Sequence, residues 1–100
     1  MLIYNITVTI EESVQEDWLG WMKTTHIPNM MATGFFLENR FAKVMFAREE
    51  GVSYSVQFIC PNMADLQAFQ GQHAPSLQQD MKDKWDGKYI TFTTVLELID

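Results

Sequence analysis

The sequence has one cysteine, Cys60, so no disulfide can brace the chain from within. That excludes a small secreted scaffold held by disulfides in place of a core. Histidine is nearly as scarce, with only His26 and His73, and there is no His-Glu-x-x-His string. A site built from both histidines and a carboxylate lacks the usual ligand spacing, so no metal is expected. Five glycines form no phosphate loop or dinucleotide fingerprint, so no cofactor is expected either. Positive charge is also sparse: seven Lys and Arg stand against thirteen Asp and Glu, for a net charge of −6. The basic residues are scattered, and Lys82, Lys84 and Lys88 alternate with Asp80, Asp83 and Asp86. Nothing supplies the clustered charge that phosphate backbones or anionic membranes require, so neither partner is expected. No Lys or Arg precedes Lys23, and no apolar run approaches membrane-spanning length. The expected protein therefore has no signal peptide and is cytoplasmic, with a reduced thiol.

Apolar residues are abundant. Hydrophobic residues make up 47% of the 100, thirteen of them aromatic, which supports one folded domain over residues 1–100. Leu2–Ile10 alternates strictly, with Leu2, Tyr4, Ile6, Val8 and Ile10 on one face and Ile3, Asn5, Thr7 and Thr9 on the other. This predicts a half-buried strand. Ser13-Val-Gln-Glu16 has the form of a capping box, and Val14, Trp18, Trp21, Met22 and Thr25 repeat at helical spacing. Pro28 predicts a break near His26 and a short second helix over Asn29–Ala32, capped by Gly34.

Phe35–Arg48 is long enough for a strand, Glu49-Glu50-Gly51 for a hairpin turn, and Ser53–Cys60 alternates again. Asn62 then caps a helix in which Leu66, Phe69, Leu77, Met81 and Trp85 keep helical spacing across a second break at His73-Ala-Pro75. After the Asp86-Gly87 turn, Lys88–Ile99 predicts a last strand, with Ile90, Phe92, Leu96 and Leu98 on one face. The order β-α-β-β-α-β, with a weak internal repeat, predicts an α+β ferredoxin-like domain: a four-stranded antiparallel sheet with split helices on one face. The even-numbered residues of the first, third and last strands should pack under the helices. The other face would then carry Ile3, Asn5, Thr7, Ser55, Gln57, Ile59, Tyr89, Thr91, Thr93 and Val95. That mixture of apolar and small polar groups suits a homodimer packed sheet on sheet, with a solvated face as the alternative.

His26 and His73 sit beside prolines at expected helix starts, where an imidazole can act as acid, base or ligand, or merely bond the backbone at a helix end. Arg40 lies in an otherwise apolar strand region and suits either an anionic ligand or the protection of an edge. Tyr54 and Gln57 offer polar tips to a pocket, or serve as ordinary strand residues. Trp18, Trp21, Met22 and Phe36 offer apolar walls between helix and sheet. Cys60 falls on an apolar strand face and reads as inert packing.

The strings Trp18-Leu-Gly-Trp-Met-Lys-Thr-Thr-His-Ile-Pro28 and Met31-Ala-Thr-Gly-Phe35 resemble the bacterial family DUF4286. Ile3-Tyr-Asn-Ile-Thr7, Tyr54-Ser-Val-Gln-Phe58 and His73-Ala-Pro-Ser-Leu77 are similar to it as well, so the resemblance spans the chain. It implies the dimeric α/β-barrel superfamily, in which two ferredoxin-like sheets pack face to face. It implies no particular activity, since that superfamily holds cofactor-independent monooxygenases, haem-degrading enzymes, isomerases, dehalogenases and non-catalytic binding modules. His26 falls on the family's His-Ile-Pro motif.

Two functions follow as expectations. One is a homodimeric module that binds a small apolar molecule or a partner. The alternative is a cofactor-independent, monooxygenase- or isomerase-like enzyme on a small apolar or aromatic substrate. In that enzyme His26 is the acid or base, and Arg40, Gln57 or Asn5 orients a polar substituent.

Overall fold

The computed structural model describes residues 1–46 and 50–99. Strand β1 is Leu2–Ile10, and a 3₁₀ turn over Glu12–Val14 leads into helix α1, Gln15–Trp21. A π-helical turn, Met22–His26, joins α1 to α2, Ile27–Ala32. Strands β2, Glu38–Lys43, and β3, Val52–Cys60, follow. Helices α3, Met63–Gln72, and α4, Ala74–Trp85, precede β4, Tyr89–Glu97. The strands form one antiparallel sheet in the order β2-β3-β1-β4, and the helices lie on one face of it. This is the α+β ferredoxin-like arrangement.

The core lies between sheet and helices. Tyr4, Val8 and Ile10 of β1 and Tyr54, Val56, Phe58 and Cys60 of β3 meet Trp18, Met22, Met30, Leu66, Phe69, Leu77, Met81 and Trp85. Burial raises the Cys60 thiol pKa, and Sγ rests 3.5 Å from the Asn62 carbonyl oxygen, as befits an unreactive thiol.

Four local expectations are corrected. Ser13 is not a cap: it lies in the 3₁₀ turn and donates to Glu11 Oε1 at 2.9 Å, while α1 begins without a side-chain cap. There is no break at His26. The chain stays helical there, and the Ile27 N–H reaches back five residues to the Met22 carbonyl. The wider turn accommodates Pro28, whose ring would press on the carbonyl four residues before it in a regular helix. Thr24 Oγ1 supports the distortion by donating to the Gly20 carbonyl at 2.8 Å. The second helix does split at His73, with Pro75 in the first turn of α4. Strand β2 begins at Glu38 rather than Phe35 and ends at Lys43; Arg48 of the expected strand and Glu49 of the expected turn fall outside the described residues, while Gly51 has the expected positive φ, +96°.

The fourth correction matters most. Register pairs Tyr4 with Val95, Ile6 with Thr93 and Val8 with Thr91, so Tyr89, Thr91 and Thr93 share the helix side of the sheet. Ile90, Phe92 and Leu96 therefore stand on the open side, opposite to the expectation. Alternation reveals two faces but not which is inward. The inward face of β4 thus carries the Thr91 and Thr93 hydroxyls.

Candidate functional site

Threonines on β4 are short where β1 and β3 present Tyr, Val and Phe, so the layer beneath α4 is unfilled. A cavity of about 510 Å³ results. Its sheet wall is Tyr4, Ile6 and Val8 of β1, Val56 and Phe58 of β3, and Tyr89, Thr91 and Thr93 of β4. Its helix wall is Met22, His26 and Met30 on one side and Phe69, Ala74, Leu77 and Met81 on the other, with Gln78, Gln79 and Lys82 of α4 adding polar groups. The volume and the mostly apolar lining match those of small-molecule sites.

His26 closes the π-turn and is 6% exposed. Trp21 stacks on its ring, with centroids 4.9 Å apart. Its imidazole lines the cavity and also borders an outer groove of about 390 Å³ shared with Trp21, Thr25, Asn29, Asp80, Asp83 and Lys84. No described residue hydrogen-bonds its ring. Burial holds its pKa below the ordinary 6.5, and the Asp80 carboxylate offsets part of that. His26 is thus a neutral imidazole at pH 7, able to accept a proton or to donate one hydrogen bond. Tyr4 stands on β1 with its ring against Phe36. Burial raises its phenol above 10.0, with the Thr93 hydroxyl offsetting part of the rise, so it remains a protonated donor.

The other residues singled out by sequence divide into four groups. Met22 shares the cavity with His26. Trp21 backs His26, and Phe36 stacks behind Tyr4 against Phe58 and Phe69. Trp18 and Tyr54 form a separate buried cluster with Phe41, in which Tyr54 Oη accepts from Gln15 Nε2 at 2.6 Å. His73 packs its ring between Phe35 and Phe69 and does not line the cavity. Asn5, Gln57 and Arg40 form one row across the open sheet face, since Asn5 pairs with Gln57 and Gln57 with Arg40. Asn5 Oδ1 accepts from Ser55 Oγ at 2.6 Å, and Arg40 pairs with Glu38 at 3.4 Å. These three lie on the far side of the sheet from His26. Sequence reasoning passed over Tyr4, Thr91, Thr93 and Lys82 as site residues. The alternating threonines of β4 were the available signal.

The fold is thus a ferredoxin-like sheet with a largely apolar cavity between it and its helices. The chain belongs to the family described as Domain of unknown function (DUF4286), whose model matches residues 1–99. No curated protein matches the sequence. Among solved structures it is similar to an ethyl tert-butyl ether D (EthD) family protein from Bacillus halodurans: TM-score 0.73, 14% identity, 99% of this chain and 100% of that one. It is also similar to a dimeric ferredoxin-like protein from an uncultured marine organism: TM-score 0.71, 11% identity, 100% and 96% covered. An antibiotic biosynthesis monooxygenase gives TM-score 0.67 at 11% identity, with both chains fully covered. At such identities the likeness establishes the fold alone.

Proposed function

We propose that this chain is a cytoplasmic, single-domain homodimer that binds a small, largely apolar molecule in the cavity beneath α4. One observation carries the reading: about 510 Å³ of mainly apolar space with convergent polar groups, namely the Tyr4 phenol, the Thr91 and Thr93 hydroxyls and the His26 imidazole. The homodimer is supported by the open sheet face, where Ile90 is 65% and Phe92 59% exposed beside Leu96 and Ile3. Isolated apolar side chains are ordinary on a surface, but two large ones this exposed at successive same-face positions of one strand, Ile90 and Phe92, favour a covered face. One similar structure is itself described as dimeric.

Native mass spectrometry of gently purified protein tests both parts. The expected result is a dimer that retains a small molecule, and a Thr91→Trp variant that remains dimeric without it. A bare protein that takes up no apolar probe refutes the binding reading, and a monomer at tens of micromolar refutes the assembly.

A second reading, a cofactor-independent enzyme with His26 as base, is favoured by the neutral imidazole, which has no hydrogen-bond partner among the described residues and lines the cavity. Its test is the mass and the chromatographic retention of the recovered molecule after incubation in air, which detect oxygenation and isomerisation respectively. Conversion by wild type but not by His26→Asn supports the reading; an unchanged molecule with wild type overturns it.

A further inference from the structure

Helix α4 sorts its charges. Asp80, Asp83 and Lys84 line the outer groove beside Trp21, and Lys84 Nζ sits 5.7 Å from the centre of the Trp85 ring. Of the charged residues of α4, Lys82 alone lines the cavity, at its solvent-exposed mouth. Among the described residues that line the cavity there is no Asp, Glu or Arg, so Lys82 is its one formal charge at neutral pH. This stands out in a chain of net charge −6. Lys82 also forms no ion pair among the described residues. The same wall includes Ala74 and Pro75, the first turn of a twelve-residue helix that begins without a side-chain cap. That helix start lies eight residues, roughly 12 Å, from Lys82 along the axis, so the lysine is the group left to meet an anion.

We infer that the cavity takes an amphipathic monocarboxylate, with its apolar body among Val8, Phe58, Leu77 and Met81 and its carboxylate at the α4 wall against Lys82. The inference rests on the binding reading above and adds the sign of the ligand's charge. A carboxylate placed there meets an ammonium group and no competing lining carboxylate. A cationic ligand would enter without a counter-ion. A neutral one would leave the Lys82 charge unused.

Matched probes test this by isothermal titration: octanoate against octanol, and 1-naphthoate against 1-naphthylmethanol. With wild type the acid of at least one pair should bind roughly three- to tenfold tighter than its alcohol. Lys82→Met should bring that ratio to about one, and Lys82→Glu should invert it. Lys84→Met, whose parent side chain lies on the outer groove, should preserve it. Equal binding of acid and alcohol to wild type overturns the inference alone, as does a preference that survives Lys82→Met. Failure of all four probes to bind overturns the binding reading and this inference together.

Discussion

Replacing Phe92 with serine separates the two faces of β4. The phenyl ring is 59% exposed in the single chain, which leaves roughly 120 Å² of it in water on each protomer. If the second sheet covers about half of that on both protomers, burial at ~25 cal/mol/Å² contributes about 3 kcal/mol to association. Removing it should weaken dimerisation by about a hundredfold. The fold itself should scarcely respond, because the open-face ring adds little to the single chain's core. Sedimentation equilibrium over a concentration series gives the dissociation constants, and thermal melts below them isolate the protomer. Had Phe92 faced the helices, as alternation alone suggested, Phe92→Ser would vacate a core position and cost ~3–5 kcal/mol of stability. A large drop in melting temperature with an unchanged dimer constant would refute the register argument. An unchanged value for both would refute the sheet-face dimer.

Burial lowers the His26 pKa in the folded chain, so the unfolded chain takes up this proton first. Stability is therefore full above pH 6.5 and declines as pH falls below it; His26→Phe should flatten that decline in urea titrations at pH 7.5 and 5.5, and identical slopes count against the assignment. Gly51 has φ +96°, and a Cβ there would lie 2.6 Å from the Ile10 carbonyl oxygen, whereas Gly34, at φ +82°, has open space around it. Gly51→Ala should cost at least ~2 kcal/mol and Gly34→Ala about 1 kcal/mol in chemical denaturation; equal costs would dismiss the close contact. Asn62 Oδ1 accepts from the Asp65 N–H at 2.9 Å, so Asn62→Ala should cost about 1 kcal/mol while Ser13→Ala is nearly neutral, and the reverse order in urea unfolding would revive the capping box.

Much of the fold was legible because strand periodicity and turn residues are local signals. Strands β1 and β3 alternate, Asn62 caps, and Gly34 and Gly51 occupy positive φ, all as read from neighbours in the chain. The inward face of β4 was not legible, because Ile90, Phe92 and Leu96 look like core residues until register places them opposite Thr9, Thr7 and Ile3. That register is anchored by the Glu11 N–H to Lys88 carbonyl bond at 2.9 Å, a contact between distant segments. The π-turn was signalled by Pro28 but not specified, since the same proline also suits a new helix. His26 was conspicuous through that proline. Tyr4 and Thr93 meet only across β1 and β4, so no local pattern linked them.

Strand β4 is one peptide layer thick, and both of its sides are committed. Thr91 and Thr93 wall the cavity, while Ile90, Phe92 and Leu96 stand on the open face through which we propose the dimer forms. If the proposed homodimer forms through that face and favours one twist of the strand, a molecule that favours the same twist tightens assembly by the free energy with which assembly tightens its own affinity. Occupancy and assembly would then be two readouts of one partition, joined by a strand of nine residues.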